Sequence, residues 1–270
     1  MKILNGAELA DFIKERQVRQ VRALRQASHV YPKLAIVQTS DDPVIDSYVR
    51  LKHRYAADVL IDVEYHKVTQ SELLATITTL NNDETVHGII VQLPLANPDD
   101  TQSAVDAVVG SKDVDGLGSA AEFDPATPVA IDWLVNGYNV DIKQKKIAIV
   151  GAGRLVGAPL AKLWRGAGYD VTVLDHSSDL AELNRFELIV SATGVPGLIT
   201  SALVQPGAVV VDAGTAAEHG KIVGDVADDV RERTDVTITP QKGGVGPLTI
   251  AALFDNVIRA AQRVAAAKAK

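Results

Sequence analysis

The chain has no cysteine, which excludes disulfides, thiolate metal sites and a cysteine nucleophile. It also lacks any apolar run approaching membrane-spanning length, any low-complexity tract, any Gly/Ser linker and any internal repeat. Positive charge is the minority sign: 27 Lys and Arg face 34 Asp and Glu, a formal net charge of −7, and the only basic block is the short Lys143–Lys146 cluster. No nucleic-acid or membrane partner is expected on that balance, whereas a small anionic ligand needs only local positive charge. The opening residues, MKILNGAELADFIKERQ, turn polar within a few positions. No charged-then-apolar leader is read there, so the expected location is the cytoplasm, and no metal site is expected.

What is present is an α/β alternation in a chain of 270 residues, long enough that two cores are the default. Apolar spacing of three to four predicts a helix from Ala7 to about Ala27, followed by a strand at Lys33–Gln38. Asp42 and Pro43 mark a helix start, with the helix running to about Ala57. A strand at Asp62–Val68, a helix at Ser71–Leu80 and a buried strand at Gly88–Leu93 complete a first series. Residues 96–128 read as a short helix and loop. A second series has strands near 146–150, 170–174, 186–190 and 207–212, and the helix at Pro125–Val140 is the expected junction. The pattern predicts parallel sheets covered by helices. The last helix, Pro247–Ala267, follows completion of the second series and is expected to pack back on the first domain.

The most informative stretch is KIAIVGAGRLVG at 146–157, where an apolar run breaks into glycines as an amphipathic segment begins. Gly151 suits a tight turn off the strand, Gly153 leaves room for a pyrophosphate to approach backbone N–H groups, and Gly157 permits close helix–strand packing. The spacing is Gly-x-Gly-x-x-x-Gly, so an ordinary α/β turn reads similarly. A second run, Asp170 to Leu174, ends in Asp175, somewhat over about 20 residues along, where an acid that binds an adenosine ribose is expected; a helix cap is the other reading.

Four further places carry chemistry. Tyr48 and Lys52 lie four apart on one predicted helix face, where both could meet one ligand. A lysine serves as acid or base only if burial or neighbours lower its pKa; otherwise the pair is simply a solvated face. Gln92 falls at the carboxyl end of GIIVQLPL, where α/β sheets place ligand sites. KDVDG at 112–116 puts two carboxylates and a lysine in one loop, or forms an Asx-turn. GGVGPLT at 243–249 could hold an anion or merely turn the chain into a helix.

Taken in order, Tyr48-x-x-x-Lys52, VQLPL at 91–95, KDVDG at 112–116, PATP at 125–128, VGAGRLVGAP at 150–159, SATGVPGLI at 191–199 and GGVGPLT at 243–249 closely resemble the methylenetetrahydrofolate dehydrogenase/cyclohydrolase family over nearly the whole chain. The resemblance implies an N-terminal folate-binding catalytic domain, residues 1–124 plus 247–270, and a Rossmann NAD(P)-binding domain, residues 125–246. It implies oxidation of 5,10-methylenetetrahydrofolate by NAD or NADP and hydrolysis of the methenyl product to 10-formyltetrahydrofolate, with a homodimer formed through the Rossmann domain. By similarity Lys52 moves the proton in the hydrolysis, Tyr48 packs against and positions the folate, Gln92 tunes Lys52, and Asp115 binds the pterin's amino and ring N–H groups. Val91, Leu93, Gly243, Gly244 and Pro247 join the folate site. The cofactor set is Gly151, Ala152, Gly153, Arg154, Leu155, Gly157, Asp175, His176, Thr193, Gly194, Gly214 and Thr215.

Several positions depart from the family pattern. Ile45 stands where a serine is common, Gly153 replaces a serine in the cofactor turn, and Lys242 replaces the proline before the two glycines. The usual Asp-Val-Gly-Ile-Asn run reads Asp212-Ala213-Gly214-Thr215-Ala216. A carboxylate at Asp175 would repel a 2′-phosphate and accept ribose hydroxyls, which favours NAD, while Arg154 or His176 could reach a phosphate instead. The rival readings are a monofunctional dehydrogenase of the same family, a different Rossmann oxidoreductase acting on a small acid, and a non-catalytic folate- or nucleotide-binding module. Neither of the last two calls for Tyr48, Lys52, Gln92 and Asp115 together.

Overall fold

A computed structural model describes residues 2–218 and 221–268. In chain order its elements are β1 (Lys2–Ile3), α1 (Gly6–Ala27), β2 (Lys33–Gln38), α2 (Pro43–Asp58), β3 (Asp62–Lys67), α3 (Leu73–Asn82), β4 (Gly88–Val91), α4 (Thr101–Asp106) and α5 (Ala126–Gly137). There follow β5 (Ile147–Val150), α6 (Gly157–Gly166), β6 (Val171–Leu174), β7 (Leu188–Ser191), β8 (Val209–Asp212), β9 (Ala216–Glu218), β10 (Lys221–Val223), α7 (Asp228–Arg231), β11 (Thr237–Ile238) and α8 (Val245–Lys268). The expected alternation is present; the expected elements differ at their ends, and the structure adds β1, β9, β10, α7 and β11, which the sequence pattern does not announce. The helix expected at 71–80 opens with a 3-10 turn at Gln70–Glu72, and the last helix starts at Val245, so Pro247 sits inside its first turn.

The chain divides into two units: residues 11–126 with 250 onward, and residues 1–10 with 127–249. The first holds a parallel sheet in the order β3-β2-β4. Strands β2 and β4 are buried along almost their whole length, as expected for a parallel sheet covered on both faces. Its core joins Ala35, Val37, Ile89 and Val91 of the strands to Leu73, Ile77 and Leu80 of α3. Helix α2 begins where the sequence signals it: the Asp42 side chain accepts from Val44 N at 2.7 Å and Pro43 occupies the first turn, a cap contributing about 1 kcal/mol.

The later part of α8 belongs to this first unit, as expected. Gln17 Nε2 of α1 donates to Ala251 O at 2.8 Å, Tyr55 OH of α2 donates to Gln17 Oε1 at 2.8 Å, and Tyr55 stacks on Phe254 at 5.1 Å between ring centroids. This buried polar link seats α2, the helix that carries Lys52, on α1 and α8.

The second unit holds a six-stranded parallel sheet in the order β1-β11-β8-β7-β5-β6, beside the antiparallel pair β9–β10. Strand order reverses between β5 and β7, and at such a switch point the strand ends leave a crevice for a ligand. Residues 1–10 and 247–249 group with this unit, whereas the sequence reading assigned both to the first domain. The physical reason at the N-terminus is strand pairing: Lys2 and Ile3 align with Thr237 and Ile238, and Leu4 N donates to Ile238 O at 2.9 Å.

Candidate active site

In the first unit, three segments converge on Lys52. Helix α2 presents Tyr48 and Lys52 one turn apart, both half-buried. Lys52 Nζ donates to Gln92 Oε1 at 2.7 Å. Gln92 follows β4 directly, is buried, and continues the ladder through its N–H to Val37 O at 2.8 Å. Its Nε2 donates to Leu93 O at 3.0 Å, which fixes the amide so that its oxygen faces the amine. Val91 is buried in β4 and Leu93 is half-buried beyond it.

The third segment is the 112–116 loop, where the two carboxylates have different tasks. Ile89 N donates to Lys112 O at 2.8 Å, laying the loop along β4. Asp113 is the Asx-type organiser: Gly116 N donates to its Oδ1 at 3.0 Å and Gly118 N to its Oδ2 at 2.7 Å. Gly116 has φ +71°, and a Cβ there would lie 2.7 Å from Phe123 O, so the turn demands glycine. Lys112 points away from the site and donates to Leu80 O, Asn81 O and Asp83 O at 3.0, 2.8 and 2.7 Å, closing the carbonyl end of α3. Asp115 is thereby left out of the loop's own bonds, near enough to Lys52 for the two charges to interact, and it lines a small cavity with Val91, Val105, Val108, Asp113 and Leu117.

Electrostatics couple the pair. Burial lowers the Lys52 pKa and the Asp115 charge opposes that shift; burial raises the Asp115 pKa and the Lys52 charge opposes it. An amine biased toward its neutral form, held by an amide acceptor, can take a proton from a reacting water. Sequence reasoning missed Asn256 of α8, which is buried and donates through Nδ2 to Val114 O and Asp124 O, both at 3.0 Å, pinning the loop that carries Asp115. Only the fold brings it there.

The second unit carries the glycine turn. Gly151 has φ +102°, and a Cβ on Gly157 would lie 1.8 Å from Gly151 O, so helix and turn touch through glycine alone. In front of Gly153 nothing lies within 4 Å. Ala152, Gly153, Arg154 and Leu155 of the turn are exposed, and α6 starts without a side-chain cap; Ala158 N donates to Gly153 O at 3.1 Å and Pro159 has no N–H, so an anion here would meet the N–H groups of the turn and of Gly157. This open cradle fits a dinucleotide pyrophosphate. Gly151 N bonds Leu174 O at 2.8 Å and Ala192 N bonds Val150 O at 2.9 Å, which sets the turn beside Asp175 on one flank and Thr193 and Gly194 on the other.

Asp175 closes a turn of its own and does not cap the next helix. Its Oδ1 accepts from Ser177 N at 2.9 Å, Ser177 Oγ at 2.7 Å and Ser178 Oγ at 3.3 Å; Asp179 caps the helix that follows. The Ser177 hydrogen bonds lower its pKa, so it stays ionised. His176 beside it is exposed. Gly214 and Thr215 follow β8. Gly243, Gly244 and Pro247 lie in this same unit, at the entry to α8: Ala7 N donates to Gly243 O at 2.9 Å, and a Cβ on Gly6 would lie 1.9 Å from Gly244 O.

Comparison with known proteins agrees with this geometry. Residues 4–115 match the catalytic-domain model of tetrahydrofolate dehydrogenase/cyclohydrolase, and residues 125–265 match its NAD(P)-binding domain. The bifunctional protein FolD of Bordetella petrii is 37% identical over 289 aligned positions, covering 98% of this chain and 95% of the relative. The crystal structure of the bifunctional enzyme FolD from Campylobacter jejuni superposes with a TM-score of 0.91 at 35% identity, covering 98% of this chain and 99% of that one. The Trypanosoma brucei methylenetetrahydrofolate dehydrogenase-cyclohydrolase, solved with NADP and an inhibitor, gives a TM-score of 0.90 at 30% identity over 97% of both chains. Match and geometry together assign the chain to the bifunctional methylenetetrahydrofolate dehydrogenase/cyclohydrolase family.

Proposed function

We propose that Lys52, Gln92 and Asp115 form the folate-side reaction centre of this bifunctional enzyme, which oxidises 5,10-methylenetetrahydrofolate to the methenyl cation with NAD(P) and hydrolyses that cation to 10-formyltetrahydrofolate. The observation that carries the reading is the 2.7 Å bond from Lys52 to Gln92 beside a carboxylate that shares its burial. Asp115 accepts N–H groups of the pterin, and Tyr48 packs against the ring one turn before Lys52. The nicotinamide cofactor supplies the hydride acceptor; Gly151, Gly153 and the start of α6 hold its phosphates.

In the hydrolysis, water adds to the methenyl carbon and gives one proton to the neutral Lys52 amine, whose position Gln92 Oε1 fixes. The protonated lysine then donates to N5 as the bond from N5 to the one-carbon unit breaks. The hydroxyl proton leaves to solvent and the formyl group stays on N10. Burial favours the uncharged Lys52 that accepts the first proton, and the Asp115 charge opposes that shift, steadying the protonated lysine between the two transfers.

The ionised Asp175 at the end of β6 supports NAD over NADP, because a carboxylate there repels a 2′-phosphate. We take the enzyme to act in the cytoplasm as a homodimer joined through the NAD(P)-binding unit, whose sheet ends on β6; light scattering on the full chain tests the pairing. The test of the function itself is a spectrophotometric assay with methylenetetrahydrofolate and each dinucleotide, following methenyl formation and its decay. Formation without enzyme-dependent decay would show a monofunctional dehydrogenase.

A further inference from the structure

Among the acids of the second unit, Asp225 is fully buried, and no folate or glycine-turn motif includes it. One oxygen, Oδ2, accepts three hydrogen bonds: from Ser191 Oγ at 2.7 Å, Thr193 N at 2.7 Å and Thr193 Oγ1 at 2.9 Å. The other, Oδ1, is buried with no donor and lies against Gly214, where a Cβ would come within 1.9 Å of it. One carboxylate therefore touches both the turn after β7 and the turn after β8. Residue 214 has to be glycine for that contact to exist.

A second acid holds this one in place. Asp212 Oδ1 accepts from Asp225 N at 3.0 Å and Gly214 N at 3.1 Å, while Oδ2 accepts from Val226 N at 3.2 Å and from Arg231 Nη2 at 2.5 Å. Arg231 Nη1 continues to Thr239 O at 2.8 Å. A Cβ on Gly224 would lie 2.0 Å from Asp212 Oδ2, so each acid packs on a glycine next to or near the other. Burying a carboxylate is unfavourable, and leaving one of its oxygens without a donor adds to that cost. Such an expense is poorly explained by stability.

We propose that Asp225 is a positioning residue for the dinucleotide: through Thr193 and Gly214 it fixes the two strand-end turns that receive the nicotinamide half of NAD(P). The proposal rests on the cofactor reading above. Thr193, tied by both its N–H and its hydroxyl, cannot swing out, and Val195 N in turn donates to Thr193 Oγ1 at 3.1 Å, carrying the constraint through Gly194, which has φ +71°. The turns are thereby set before the cofactor arrives, which lowers the ordering cost of binding.

The test uses the full chain and two variants, Asp225→Asn and Ser191→Ala. Asparagine keeps one acceptor oxygen for the three donors but loses the negative charge and sets an N–H₂ where Oδ1 lies against Gly214, whereas Ser191→Ala removes one donor and leaves the carboxylate. Calorimetric titration with NAD and NADP in the absence of folate is expected to show Kd raised about tenfold or more in Asp225→Asn and a few-fold in Ser191→Ala. In the dehydrogenase assay the dinucleotide KM should rise by a similar factor while kcat stays within about threefold. Hydrolysis of methenyltetrahydrofolate without dinucleotide should keep its wild-type rate in both. A folded Asp225→Asn protein with wild-type Kd overturns the proposal, as does parallel loss of the hydrolysis. Should Asp225→Asn not fold, Ser191→Ala decides: an unchanged Kd overturns, a raised one supports. A wild type that binds neither dinucleotide overturns the cofactor reading and this proposal together, and is distinguished by that wild-type titration alone.

Discussion

Lys52 and Gln92 are joined by a 2.7 Å hydrogen bond in which the amide can only accept, because its nitrogen is committed to Leu93 O. The bond therefore serves the lysine in both protonation states, whereas a carboxylate in place of Gln92 would lock it charged. Lys52→Met keeps the length of the side chain and removes the proton carrier. Methenyltetrahydrofolate hydrolysis is expected to fall at least about a hundredfold, with folate affinity within a few-fold of wild type. In the wild type the hydrolysis rate should rise with pH through the lowered Lys52 pKa. Wild-type hydrolysis by the methionine variant would remove Lys52 from the mechanism.

Asp115 has been released from loop-building by Asp113, so its replacement tests recognition separately from folding. Each charge-assisted bond to the pterin contributes about 1.5–3 kcal/mol, so Asp115→Ala should weaken folate binding about tenfold or more. NAD(P) affinity should be unchanged. Titration of both ligands into the variant checks this, and equal loss of the two would point to a disturbed loop.

For the cofactor choice, Asp175→Ser removes the charge at the end of β6 and keeps a hydroxyl for the turn. The ratio of kcat/KM for NAD to that for NADP is expected to fall by about tenfold, the cost of one like-charge contact near a partly screened surface. An unchanged ratio would assign the choice to Arg154 or His176.

Acid stability has an identifiable contributor in His87, which is buried after α3 and accepts from Lys33 N through Nδ1 at 3.3 Å. Burial, with the nearby lysines, pushes its pKa down to about 4 from 6.5. The folded state thus refuses a proton that the unfolded chain takes up. The contribution is fully present above pH 6.5 and is lost as pH falls toward 4, amounting to about 2 kcal/mol between pH 7 and 4.5. Urea unfolding at both pH values should show a loss smaller by that amount in His87→Gln than in wild type. Equal losses would place the acid sensitivity elsewhere.

The features that were legible in the sequence are those set by neighbours along the chain. Tyr48 and Lys52 share a helix face because 3.6 residues make a turn, and Asp42-Pro43 caps that helix whatever it packs on. The apolar runs of β2, β4 and β5 mark buried parallel strands, and the glycines at 151, 153 and 157 mark a turn that must stay free of side chains. Tertiary structure alone decided what depends on partners far away in the chain. In KDVDG it divided the work, giving Lys112 to the end of α3, Asp113 to the loop and Asp115 to Lys52, a division with no local period to announce it. It brought Asn256 to Val114 across 142 residues and β1 to the edge of the large sheet through β11. It also set Asp225 against Gly214 and Thr193. Hydrogen bonds and charge pairs of that kind are written by the meeting of surfaces, and a one-dimensional pattern records only the surfaces.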